Sequence, residues 1–148
     1  VGVLASADTL GRLPEASFAD FSGAQVTPAE RNGTPLVLNL WASWCPPCVR
    51  EMPMMVEVAD RSDTVDILFA NQGEQPEPIR RFLERADIDG DRILLDPGSA
   101  LMEKFGALGL PTTLFIDAEG RVQAVHVGEI SRAELTSRMQ DLERTNDE

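Results

Sequence analysis

The longest apolar run in the chain is Leu36-Val37-Leu38-Asn39-Leu40-Trp41-Ala42, which follows the turn signal Asn32-Gly33-Thr34-Pro35. A nearly continuous run of this length, bounded by turn residues, predicts a central strand buried on both faces. Val65 to Ala70 reads as a second buried strand, and Ile93-Leu94-Leu95 as a short one ended by Asp96-Pro97-Gly98. Thr112 to Asp117 and Arg121 to Val127 read as a hairpin around Ala118-Glu119-Gly120, where glycine supplies the positive φ that the turn needs. Between these runs the period lengthens to that of helices. One helix starts at Cys45 and runs to about Ala59, with Pro46 and Pro47 in its first turn and Pro53 in its interior, where a kink is expected. Pro78 to about Ala86 carries Ile79, Phe82 and Leu83 on one side and charges on the other. Ser99 to Phe105 makes a short helix that stops at Gly106, and Ser131 and Glu134 have the capping-box spacing that opens a closing helix through about Leu142.

The order is β-α-β-α-β-α-β-β-α, an α/β layout with helices on both faces of a mixed sheet. Residues 8–142 form one domain, whose first part, 8–34, is an irregular extension with one or two short strands. Residues 143–148 make a polar tail expected to fray. Val1 to Ala7 look like the end of an apolar segment with an A-x-A pattern, so residues 1–7 read equally as the end of a signal or anchor segment, with Asp8 the first mature residue, or as a frayed terminus of small residues.

Composition narrows the function. With 148 residues the chain can bury a core without cross-links, and 43% hydrophobic against 26% charged residues is a globular balance. No apolar run reaches the roughly 18–20 residues of a membrane-spanning helix. The formal charge of −12 argues against a nucleic-acid partner, which requires a basic face. Lys104 is the only lysine, so a lysine-based membrane anchor is excluded. The chain has 2 cysteines and 1 histidine, which excludes a multi-disulfide scaffold and a zinc site made of four Cys/His ligands.

The two cysteines carry the chemistry. Trp44-Cys45-Pro46-Pro47-Cys48 lies where a buried strand gives way to a helix. A thiol attacks only as the thiolate, and Cys45 falls at the helix N-cap, where the macrodipole and unpaired amides favour negative charge. Pro46 and Pro47 offer no N–H, which leaves the amide of Cys48 as the best-placed donor. The spacing also lets Cys48 attack a mixed disulfide on Cys45. Trp44 is placed to shield one side of the sulfur.

The run from Val37 to Pro53, with its WCPPC core, strongly resembles the thioredoxin superfamily and, within it, the exported TlpA/ResA/CcmG (DsbE) group of thiol-disulfide oxidoreductases. A second stretch agrees: Gly109-Leu110-Pro111-Thr112-Thr113-Leu114-Phe115-Ile116-Asp117, followed by Gly120. The resemblance implies a thioredoxin fold with an N-terminal extension and an exported or membrane-tethered location facing the periplasm or its equivalent. It makes Cys45 the attacking and Cys48 the resolving cysteine. Pro111 matches the cis-proline packed against the pair, and Leu110 the residue whose backbone pairs with the incoming chain. Read without the resemblance, Pro111 is equally an ordinary strand-entry proline. Trp44, Pro46 and Pro47 complete the substrate-contacting set.

Glu51 matches an acidic residue of this group. One turn separates it from Cys48, so a partly buried Glu51 is a candidate to take the Cys48 proton; the alternative is a solvated helix carboxylate. Asn39 stands where thioredoxin itself has a titrating aspartate, which strengthens Glu51 as the proton acceptor. Arg50 either helps hold the Cys45 thiolate or, more in keeping with its length, reaches the helix surface. Met52, Met54 and Met55 fit core packing better than a substrate surface.

The expected activity is reduction of disulfides in exported proteins, with no cofactor and no resident metal. The resemblance implies disulfide-containing proteins as partners, such as apocytochrome c or oxidase metal-site proteins, and a membrane thiol donor that resets the pair. Two alternatives are a dithiol oxidant or isomerase, and a copper-binding module using Cys45, Cys48 and His126. Ala42 stands where a peroxidase of this fold carries threonine, so peroxidase activity is not expected.

Overall fold

The computed structural model describes residues 11–107 and 109–147. Seven strands make one mixed sheet: β1 Phe18–Asp20, β2 Gln25–Val26, β3 Leu36–Trp41, β4 Asp66–Gln72, β5 Ile93–Asp96, β6 Thr112–Ile116 and β7 Val122–Val127. Four helices are described, α1 Pro46–Arg61, α2 Pro76–Ala86, α3 Ala100–Phe105 and α4 Arg132–Asp147. The strand order is β2-β1-β5-β4-β3-β6-β7. β3 is central, parallel to β4 and antiparallel to β6. The elements thus follow the order read from the sequence. The segment Val1 to Ala7, with its export pattern, lies outside the described residues.

Every residue of β3 is buried, as its apolar run requires. Its side chains alternate between the two faces of the sheet. Val37 and Trp41 join Met52 and Met55 of α1, Ile79 and Phe82 of α2, and Leu135 and Met139 of α4 in one core. The Trp41 and Phe82 rings meet at 5.4 Å between centroids. Leu36, Leu38 and Leu40 point the other way, into a second core with Leu101 of α3 and Leu13 of the N-terminal extension. Helices therefore cover both faces unequally, and the extension supplies the cover that the short α3 leaves out.

That extension spans the sheet from rim to rim. Leu13 N donates to Gly120 O at 3.0 Å and Val122 N donates to Gly11 O at 2.9 Å, beside the start of β7. Further on, β1 pairs antiparallel with β5 on the opposite side, with Ala19 opposite Leu95.

Several boundaries differ from the sequence reading, each for a local reason. α2 starts at Pro76, two residues early, because prolines in a first turn lose no intrahelical hydrogen bond. β4 runs on to Gln72, whose polar end conceals a strand: Gln72 Oε1 accepts from Met102 N at 3.2 Å and Asn71 Nδ2 donates to Glu74 at 2.8 Å. β5 extends to Asp96, whose carboxylate accepts the Ala100 and Leu101 amides at 3.0 and 2.9 Å and so starts α3. α1 passes through Pro53 to Arg61 as one helix. α4 opens with Ser131 Oγ accepting the Glu134 amide at 3.1 Å and continues beyond Leu142 to Asp147, supported by Thr145 Oγ1 donating to Asp141 O at 3.0 Å.

Candidate active site

The buried β3 strand releases the chain at its carboxyl end into a four-residue connector, Ala42-Ser43-Trp44-Cys45, and α1 begins at Pro46. Cys45 is the N-cap, with extended backbone at φ −99° and ψ 109°. Cys48 N donates to Cys45 Sγ at 3.3 Å. Pro46 and Pro47 occupy the two preceding helical positions and carry no N–H, so of the N2 and N3 amides that an N-cap side chain draws on, Cys48 N is the one left. Cys45 and Cys48 form a disulfide with Cα atoms 5.3 Å apart. Both cysteines are buried, whereas Trp44 is 69% exposed, the one large hydrophobic side chain among the described residues to be so. Pro46 is exposed and Pro47 half-buried.

The second motif reaches the same end of the sheet. Register places Leu40 of β3 opposite Thr112 of β6, which sets Pro111 beside the carboxyl end of β3. The Leu110–Pro111 peptide is cis. Pro111 is buried and its carbonyl accepts Gly128 N at 2.8 Å; Leu110 is half-buried.

Beneath the cysteines, Glu51 is 3% exposed. It shares the buried face of α1 with Cys48, one turn away. Each carboxylate oxygen has a partner: Ile130 N donates to Oε1 at 2.9 Å and Asn39 Nδ2 donates to Oε2 at 2.9 Å. Burial drives the Glu51 carboxyl up to about 7. The Ile130 and Asn39 hydrogen bonds pull the other way, and the nearby Glu129 charge adds to the rise. Asn39 Nδ2 also donates to Thr113 Oγ1 at 3.0 Å, so the amide is held from both sides.

Arg50 goes to the surface. Its guanidinium pairs with Glu129 at 2.7 Å, the two side chains 60% and 43% exposed. Met52 and Met55 are fully buried core residues and Met54 is partly buried against the same core. His126 is buried on β7, opposite Thr113, with Nε2 3.2 Å from Glu129 O.

Three participants escaped the sequence reading. The Ile130 amide and the Thr113 hydroxyl reach Glu51 and Asn39 from 79 and 74 residues away. The third is Glu74, in the turn after β4, which accepts from both the amide and the hydroxyl of Ser43. Apart from Thr113, which lies within the second quoted motif, no local pattern marks them.

Comparisons with known proteins bear on the family and the fold. The Redoxin family profile matches residues 9–141. The chain is 29% identical over 131 residues to the thiol-disulfide oxidoreductase ResA of Geobacillus thermodenitrificans, covering 87% of this chain and 75% of that one. It is 29% identical over 132 residues to the thioredoxin-like protein YneN of Bacillus subtilis, covering 86% and 76%. The solved structure of MTB DsbF, in mixed oxidised and reduced forms, superposes with a TM-score of 0.78 at 28% identity, covering 86% of this chain and 95% of that one.

Proposed function

This chain belongs to the Redoxin family, has the thioredoxin fold and is a thiol-disulfide oxidoreductase; from that premise we propose that it acts as a reductase of protein disulfides outside the cytoplasm. The observation that carries the direction is the single helix amide, Cys48 N, directed at Cys45 Sγ. A strong dithiol oxidant owes its potential to a reduced form whose thiolate is heavily stabilised. Pro47 withholds the other amide that such stabilisation draws on, and Arg50 is paired with Glu129. The named ResA relative is consistent with this reading.

The exchange runs in two displacements. The Cys45 thiolate attacks one sulfur of the substrate disulfide, forming a Cys45–substrate mixed disulfide and expelling the first substrate thiolate. Cys48 then gives its proton to Glu51, and the Cys48 thiolate attacks Cys45 Sγ. That step forms the Cys45–Cys48 disulfide and releases the second substrate thiolate. Two electrons pass from the cysteine pair to the substrate. A buried carboxyl near 7 is matched to this proton transfer at neutral pH. Trp44, Pro46, Pro47, Leu110 and Pro111 form the surface on which the substrate chain rests, with the backbone before Pro111 pairing with it as an added strand.

The substrates that fit are exported proteins with cysteine pairs awaiting haem or metal, such as apocytochrome c or oxidase assembly proteins. A membrane thiol donor resets the disulfide. No helix among the described residues is long and apolar enough to cross a membrane.

The test is the reduction potential of the Cys45–Cys48 pair, measured by equilibration against dithiol and glutathione buffers. A value near about −270 mV supports the reductase. A value near about −120 mV overturns it and assigns the same residues to oxidation.

A further inference from the structure

The connector that presents Cys45 is braced from outside its own segment. Ser43 lies two residues before Cys45, after β3 has ended and before α1 begins, so neither ladder nor helix satisfies its amide. Glu74 does. Its Oε1 accepts Ser43 N at 2.7 Å and its Oε2 accepts Ser43 Oγ at 2.6 Å. Both oxygens of one carboxylate thus hold one residue, at lengths typical of charge-assisted bonds.

Glu74 is itself fixed. Asn71 Nδ2 donates to Oε1 at 2.8 Å, and Asn71 lies opposite Trp41, the last residue of β3. The turn that aims Glu74 is pinned by Gly73 N donating to Asp96 O at 3.0 Å. Gly73 sits at φ +79°, and a Cβ there would stand 3.1 Å from Ser99 Oγ, so the tight turn depends on glycine. Two strand-to-helix connectors at one end of a parallel pair are cross-braced through this carboxylate. The rest of the Cys45 connector is held at its ends, by the buried side chain of Ala42, by Cys45 N donating to Ala42 O at 3.3 Å and by Val49 N donating to Cys45 O at 3.1 Å, which leaves Glu74 to hold its middle.

We propose that Glu74 is a positioning residue for the exchange: by gripping Ser43 through both amide and hydroxyl, it holds Trp44 and Cys45 in the orientation from which the sulfur meets a protein disulfide in line. Displacement at sulfur needs the three sulfurs aligned, and small errors in placing a reacting group cost large factors in rate. The inference rests on the Cys45–Cys48 exchange itself and not on the direction of electron flow.

Glu74→Ala and Ser43→Ala are compared with wild type in two reactions of the reduced protein: exchange with insulin disulfides and alkylation by iodoacetamide. Insulin must be approached along one line, whereas the small alkylating agent reaches the thiolate from many directions. Glu74→Ala is expected to slow insulin exchange about tenfold and Ser43→Ala about threefold, with alkylation within about twofold of wild type in both. Glu74→Gln, which keeps one carbonyl acceptor, is expected between Glu74→Ala and wild type. Insulin exchange within about twofold of wild type in the folded variants overturns the proposal, whatever their melting temperatures; so does equal slowing of both reactions, which marks a loss of thiolate and not of orientation. If Glu74→Ala does not fold, Ser43→Ala decides alone. Rates are read as variant over wild type, and an unfavourable wild-type potential counts against the reductase reading only.

Discussion

Asn39 Nδ2 lies 2.9 Å from Glu51 Oε2, joining the central strand to the helix that carries Cys48 through one buried hydrogen bond. Asparagine at this point donates without titrating. Glu51 is therefore the only group of the pair that exchanges a proton, and its neighbour tempers the effect of burial instead of competing for that proton.

Asn39→Asp removes that arrangement. Two carboxylates within hydrogen-bond reach share a proton and resist ionising together. We expect urea unfolding of the oxidised variant to show a stability deficit against wild type that is about 1–3 kcal/mol larger at pH 8 than at pH 5. An equal deficit at the two pH values counts against the coupling.

Glu51 sets a pH dependence of its own. Its carboxyl moves from 4.5 to about 7 on folding, so the folded chain binds this proton more tightly than the unfolded chain does. The associated stability is fully present below about 4.5 and is lost as pH rises through about 7, amounting to about 3 kcal/mol. Glu51→Gln is expected to flatten the stability profile of the oxidised protein between pH 4.5 and 8 by about that amount. It is also expected to remove an inflection near 7 from the rate at which Cys48 resolves the mixed disulfide, measured by stopped flow. A retained inflection would assign the proton to another group.

Trp44 is 69% exposed, so its removal exposes little that is now buried. Trp44→Ala is expected to change unfolding free energy by less than about 0.5 kcal/mol. The same variant is expected to raise KM for insulin severalfold while leaving the rate with a small aromatic disulfide reagent within about twofold. A parallel loss with both substrates would show that the ring acts on the sulfur and not on the partner chain.

Cys48→Ser leaves the first displacement intact and blocks the second. The variant is expected to accumulate a covalent complex with a protein disulfide substrate, visible on non-reducing gels and cleared by dithiothreitol. Cys45→Ser is expected to accumulate none. The reverse pattern would exchange the roles of the two cysteines.

Much of this was legible in the sequence because local and global signals agree there. The β3 run, the N-cap cysteine, the amphipathic face of Ile79, Phe82 and Leu83, and the Ser131–Glu134 cap each depend on residues a few positions apart. Glu51 was legible as a candidate from its spacing to Cys48. Its enclosure was not, because Ile130, which donates to it, and Thr113, which accepts from its partner Asn39, come from the far end of the chain and arrive only when β6 and the loop after β7 are in place. Glu74 was hidden for the same reason, 31 residues from the serine it holds. The ends of β4 and β5 were misjudged because Gln72 and Asp96 look like loop residues until their side-chain hydrogen bonds are known.

The extension that crosses from β7 to β5 has a consequence for the company the protein keeps. An open strand rim is a template for any extended chain, and the proposed substrates are extended chains. By laying β1 along β5, and by ending its own sheet in a two-residue β2, the molecule offers little purchase on that side. The same segment guards the entry to β7 through Leu13 and Gly11. On the proposed reading a visiting polypeptide pairs with the backbone before Pro111, and the cover along β5 keeps that side of the sheet from competing for it.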